Sequence, residues 1–306
     1  MADKGKEKIT IEPITFKNIS HVPRVPSKTR PRTIPGETRP RTIEANSLKE
    51  KGYTLGGVLG KGSFAKVYKC IEDATGQAFV CKIMLTRKND IEMAIREMDI
   101  MKGLPTHPNL VAWKDGFSDA HAIVIVMELC QGGTLLDYMK NKVSCTEEFS
   151  VPEFCEVRKK VPFTEREAAT VMRDIIEAIK VCHQNDVMHL DVKPDNIVMD
   201  AGENPTYKLI DFGLSLKFTG QELKREPIGI TPYTAPEMTK GCCGKEADIW
   251  SAGAILYELL SGIPPFFSAW ETDLAHLICF GTMKRVNASE DARDLIAKML
   301  VRETES

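Results

Sequence analysis

At 306 residues and 42% hydrophobic, the chain is long enough to bury a full core, expected to be shared between two lobes plus a tail. A formal net charge of −2 gives no general attraction for nucleic acid, and no apolar run reaches membrane-spanning length, so neither partner is expected. Nine scattered cysteines, odd in number and without a C-x-x-C pair, argue against a disulfide framework or zinc site and for reduced thiols in a soluble cytoplasmic or nuclear protein. The start, Met1-Ala2-Asp3-Lys4, reads neither as a signal peptide nor as a myristoylation sequence.

Residues 1–48 are polar, basic and proline-rich, without sustained apolar periodicity, and read as a disordered or extended arm. Within it Thr29-Arg30-Pro31-Arg32-Thr33-Ile34 recurs as Thr38-Arg39-Pro40-Arg41-Thr42-Ile43. The repeat reads either as a docking or phosphorylation segment, with Thr33 and Thr42 each after arginines, or as a plain basic tether. From residue 49 the pattern changes. Tyr53–Leu59, Lys66–Ile71 and Ala78–Met84 read as strands, Ile91–Leu104 as a helix ending before Pro105, and the runs around Val111 and Ile123–Met127 as further strands. After Gly132-Gly133 the chain turns mainly helical, over Thr164–His183, Lys245–Ser261, Thr272–Gly281 and Ala288–Leu300. Asn141–Lys160 lacks periodicity and reads as an inserted loop. Strands followed by helices predict an α+β protein: a small β-rich lobe with one main helix, about 49–130, and a larger helical lobe, about 131–306.

The chemistry-bearing residues follow the same order. Gly60-Lys61-Gly62-Ser63-Phe64-Ala65-Lys66-Val67 lies between two predicted strands, where glycines let backbone N–H groups approach phosphates. Alone it reads equally as a hairpin turn, and a dinucleotide-binding reading fails because a strand, not a helix, follows. Lys82 ends the run Val80-Cys81-Lys82, where an unpaired ammonium is costly, and Glu97 on the next helix is its natural partner. His189-Leu190-Asp191-Val192-Lys193-Pro194-Asp195-Asn196, then Asp211-Phe212-Gly213, supplies a carboxylate to take a hydroxyl proton, a lysine for a γ-phosphate, and an Asn/Asp pair for magnesium.

Together these motifs resemble the eukaryotic protein kinases of the Ser/Thr type, over residues 53 to 304. Tyr257-Glu258-Leu259-Leu260-Ser261-Gly262-Ile263-Pro264-Pro265-Phe266 is similar to the calmodulin-dependent and calcium-dependent group. The resemblance implies a two-lobed kinase fold, ATP and Mg2+ as cofactors, and a monomer acting on protein Ser/Thr hydroxyls. It makes Asp191 the catalytic base with Lys193 beside it, and Asn196 and Asp211 the metal ligands. It puts Lys82, paired with Glu97, on the α/β-phosphates. Leu59, Gly60, Lys61, Gly62, Ser63, Phe64, Ala65 and Val67 would cover the nucleotide. Val126-Met127-Glu128-Leu129-Cys130 resembles the hinge, with Met127 behind the adenine, backbone groups of Glu128 and Cys130 at its edge, and Asp137 an acid one turn later.

Three departures qualify it. Leu190 replaces the arginine that pairs with a phosphorylated activation loop. Ile230 falls where a threonine usually contacts the catalytic aspartate, with Thr231 as the candidate substitute. The chain ends at Ser306, before the arginine that usually pairs with the glutamate of Ala235-Pro236-Glu237, so Glu237 is expected to lack its cation. The rival readings are a nucleotide-binding pseudokinase scaffold and a dual-specificity kinase like the mitotic inhibitory kinases, whose catalytic loop Leu190 resembles. No D-x-[DN]-x-[DN]-G calcium loop is present.

Overall fold

Alternation of side chains across a strand decides how residues 53–128 build their sheet. The computed structural model describes residues 48–62, 65–85, 91–118, 122–142, 162–202, 204–221, 223–225 and 229–302. The arm with its repeat, Ser63, Phe64 and most of the Asn141–Lys160 insertion lie outside these residues. Strands β1 (Tyr53–Lys61), β2 (Ala65–Glu72), β3 (Ala78–Leu85), β4 (Trp113–Ser118) and β5 (Ala122–Glu128) form one antiparallel sheet in the order β1-β2-β3-β5-β4. Tyr68 and Cys70 on β2 and Phe79, Cys81 and Ile83 on β3 point to one face, where Leu48 and Tyr53 close a small apolar cluster. Val67 and Lys82, cross-strand partners, lie on the other face. Helix α1 (Ile91–Gly103) buries Ala94, Glu97, Ile100 and Met101, a stripe at helical spacing.

The strand expected around Val111 lies instead at Trp113–Ser118. Leu110 and Val111 leave the sheet to reach the second lobe: Leu110 bridges to Leu209, and Val111 N–H donates to Leu209 O at 3.1 Å. Their apolar character reflects burial at that junction rather than strand periodicity.

The second lobe is built on helices α2 (Leu135–Asn141), α3 (Glu165–Gln184), α4 (Glu246–Ser261), α5 (Glu271–Phe280) and α6 (Glu290–Met299). Short ribbons lie between α3 and α4: β6 (Val187–Met188) pairs with β9 (Leu216–Lys217), β7 (Ile197–Met199) with β8 (Tyr207–Leu209), and β10 (Leu223–Lys224) with β11 (Cys242–Cys243). Helix α4 is buried on all sides from Ala247 to Leu260 except at Ile249, as its apolar circumference demands. Gly253 lets α6 pack closely, because a Cβ there would stand 2.7 Å from Met299 Cβ. Among the described residues all seven cysteines are free thiols, and no helix is long and apolar enough to cross a membrane.

Helix α3 opens with a capping box: Thr164 accepts from Glu167 N–H, and Glu167 accepts from Thr164 N–H at 2.7 Å. Lys142 Nζ donates to Glu167 Oε1 at 2.6 Å and, with the Thr164 bonds, holds that carboxyl down at about 2. A depressed carboxyl contributes stability that is present above its unfolded value, near 4.5, and is lost as pH falls through the folded value. The melting-temperature gap between wild type and Glu167→Gln is therefore expected to be widest near neutral pH and to narrow from about pH 4.5. A constant gap across a melting series at different pH would show that the charge contributes nothing.

Candidate active site

Lys82 sits in the middle of the sheet, paired with Val67 on one side and Ile125 on the other, so it cannot turn outward as an edge lysine would. Its Nζ lies 2.5 Å from Glu97 Oε1 and 2.7 Å from Asp211 Oδ1. Glu97 is 2% exposed on α1. Burial pulls the Lys82 ammonium down, but the two carboxylates outweigh it and hold it above its ordinary value. Burial opposes the charge on Asp211 too, yet Lys82 keeps that carboxyl below the usual range. Burial, reinforced by Asp211, pushes Glu97 up despite its lysine partner. Glycine at 213 has a steric cause: an added Cβ would come within 3.2 Å of Asp211 Oδ1, 3.4 Å of Glu97 Oε2 and 3.7 Å of Lys82 Nζ.

Two backbone turns aim the polar groups of the catalytic loop. Leu190 (φ 62°) and Asp211 (φ 66°) both occupy the left-handed region, unfavourable for leucine and better tolerated by aspartate. The fully buried Asp248, on α4, holds the first of these turns: His189 N–H and Leu190 N–H donate to its two oxygens at 2.8 and 2.7 Å. His183 Nε2 is 2.8 Å from the same carboxylate. Asp191 then faces Lys193, whose Nζ donates to both its oxygens at 2.9 Å. Asn196 Nδ2 donates to Asp191 Oδ2 at 2.7 Å and to its carbonyl at 2.9 Å. Asn196 O accepts from Ile210 N–H at 2.9 Å, which sets Asp211 beside the loop. Phe212 is buried with its ring edge-on to His189 at 5.0 Å.

At the sheet's edge Gly60 pairs with Val67, Lys61 pairs with Lys66, and Gly62 N–H donates to Ala65 O at 2.9 Å, while Leu59 is exposed. Met127 is buried at the end of β5, and Glu128 and Cys130 follow it half-buried. Glu128 N–H donates to Ala112 O at 3.0 Å and is therefore already engaged. Asp137 is exposed and closes the N-terminus of α2, its Oδ2 accepting from Thr134 Oγ1 at 2.7 Å. The sheet, α1, the catalytic loop and the Asp-Phe-Gly turn thus bring two lysines (Lys82 and Lys193), three carboxylates (Glu97, Asp191 and Asp211) and Asn196 into a single constellation.

The model of the protein kinase domain matches residues 53–306. This chain belongs to the protein kinase family. It is 41% identical over 261 residues to Calcium-dependent protein kinase 32 of Arabidopsis thaliana, covering 82% of this chain and 45% of that protein. It is likewise 41% identical over 258 residues to Calcium-dependent protein kinase 20 of Oryza sativa subsp. japonica, 81% of this chain and 44% of the relative. Calcium-dependent protein kinase 14 of Arabidopsis thaliana is 40% identical over 265 residues, 83% and 46% respectively. The chain thus spans a little under half the length of the curated relatives it matches.

Two expectations drawn from departures in this kinase sequence need correction. Thr231 does not stand in for the missing threonine: its Oγ1 lies 3.2 Å from Thr234 Oγ1 and accepts from Tyr233 N–H at 3.3 Å. Ile230 is partly buried and packs against the main core. Nor is Glu237 an unaccompanied carboxylate: it is half-buried and has a partner, as a charge removed from water must. Leu190 is 4% exposed and belongs to the core of the kinase domain. Sequence reasoning missed Lys208, which pairs with Glu128, and the pairing of Tyr233 Oη with Glu258 at 2.5 Å. No local motif announces either, because the partners are far apart in sequence.

Proposed function

We propose that this domain transfers the γ-phosphoryl group of ATP to serine or threonine hydroxyls of proteins. The observation that carries the reading is the double engagement of Lys82 by Glu97 and Asp211, which joins α1, the sheet and the Asp-Phe-Gly turn into one phosphate-facing cation site. Asp191 would take the acceptor's proton as its oxygen attacks the γ-phosphorus and the bond to ADP breaks. Lys193, bonded to both oxygens of Asp191, would steady that carboxylate and offset charge on the moving phosphoryl group. Asn196 turns its Nδ2 to Asp191 and keeps its amide oxygen for a cation, and Asp211 remains ionised; the pair suits a hard ion such as magnesium. When bound, that ion neutralises charge on the β- and γ-phosphates. The glycine-rich turn from Leu59 to Val67, including Ser63 and Phe64, would cover the nucleotide, with the hinge carbonyl of Glu128 and the backbone of Cys130 at the adenine edge.

The test is Mg-ATP turnover on paired basic peptides that differ only in a serine, threonine or tyrosine acceptor. Phosphate on serine or threonine is expected. Phosphotyrosine alone would favour the dual-specificity reading, and tight ATP binding without turnover would make the domain a nucleotide-binding scaffold.

A further inference from the structure

Beneath the hinge lies a charge cluster that the proposed chemistry does not use. Lys208, 8% exposed, is the middle residue of β8, and Ile210 and Asp211 follow that strand directly. Its Nζ lies 2.8 Å from Glu128 Oε1, 3.0 Å from Glu128 Oε2 and 3.8 Å from Asp200 Oδ2. Glu128 Oε2 also accepts from Ala112 N–H at 3.1 Å, in the segment that leads into β4. The carboxylates of Glu128 and Asp200 and the Cys130 thiol all approach within 4.8 Å of one another. Burial, together with both carboxylates, pushes that thiol up to about 12, so it stays neutral and adds no negative charge of its own. The ammonium of Lys208 therefore balances two acids at the point where the chain passes from the sheet to the helical lobe.

We infer that Lys208 is a positioning residue: it ties the hinge residues that face adenine to the strand that delivers Asp211. The inference rests on the nucleotide-site reading above and deepens it. Without the ammonium, Glu128 and Asp200 repel each other at close range, and each must seek water. Glu128 lies two residues before Cys130, so moving its side chain away from Ala112 and β8 displaces the backbone that would read the base. Lys82 and Glu97 stand on other elements, and Asp211, although it follows β8, keeps its own bonds to Lys82 and to Gly213 N–H. The cost should therefore fall on recognition of the base rather than on the chemical step.

The experiment measures equilibrium binding of Mg-ATP and Mg-GTP to the full chain, alongside KM and kcat for ATP. Lys208→Met is expected to weaken ATP binding about tenfold, to leave kcat at saturating ATP within about twofold, and to narrow the preference for ATP over GTP. Lys208→Arg, which keeps the cation, should restore most of the loss. Glu128→Gln probes the same link from the other end, so it decides the matter if the methionine variant does not fold; the same narrowing of base preference is expected. Unchanged ATP affinity, or equal losses for ATP and GTP, would reduce Lys208 to a structural prop. So would a fall in kcat at constant KM. A wild-type chain that binds ATP without turnover would overturn the catalytic reading and leave the Lys208 comparison intact. One that binds no nucleotide would overturn both.

Discussion

Asp191→Asn is expected to lower phosphoryl transfer by about a thousandfold while ATP binding stays near wild type. The carboxylate faces the acceptor, and its neighbours Lys193 and Asn196 hold it from two sides. An asparagine keeps the shape and one acceptor oxygen, so the loop, whose turn is anchored by Asp248 through backbone N–H groups, should not move. What is lost is basicity: an amide cannot take the hydroxyl proton as the bond to phosphorus forms. Steady-state turnover and nucleotide binding, measured on the same preparation, separate these effects. Wild-type turnover in the variant would remove Asp191 from the chemistry.

Lys82→Met should instead weaken productive ATP binding as well as rate, with turnover down by at least about a hundredfold. Two carboxylates now share one ammonium, at 2.5 and 2.7 Å. Deleting it leaves the buried Glu97 facing Asp211 with no cation between them, a situation worth about 3–5 kcal/mol when one partner of a buried pair is removed. Glu97, already pushed up by burial and by Asp211, would relieve the repulsion by taking a proton. A neutral Glu97 no longer draws α1 toward the Asp-Phe-Gly turn, so the metal-facing carboxylate loses its orientation too. Equal nucleotide affinity and equal rate in this variant would show that the lysine does not serve the phosphates.

What the sequence reveals depends on how local the signal is. The catalytic loop and the Asp-Phe-Gly turn are contiguous words whose residue types carry their chemistry, so their place in the site could be read before any coordinate. The long elements were legible for a related reason: α3 and α4 run for many turns, and the apolar pattern repeats often enough to mark them within a residue or two. The ribbons β6–β9, β7–β8 and β10–β11 have two or three residues a side, too few for a period of two to show. The link between Lys208 and Glu128 joins residues 80 apart, and a lysine between a tyrosine and a leucine on β8 reads like any strand residue. Val111 illustrates the converse, since its apolar neighbourhood looked like a strand and marks the passage between lobes.

The packing of Leu190 limits how the domain can be controlled. Its side chain is packed into the main core, on a left-handed residue pinned from behind by Asp248. An arginine placed there today would bring a guanidinium into apolar surroundings, at a cost of several kcal/mol unless a counter-charge came with it. Leu190→Arg is thus expected to destabilise the domain unless an acid is introduced beside it. With the core packed around leucine, an ion pair at position 190 is not reached by a single substitution, so control of this domain must use other contacts.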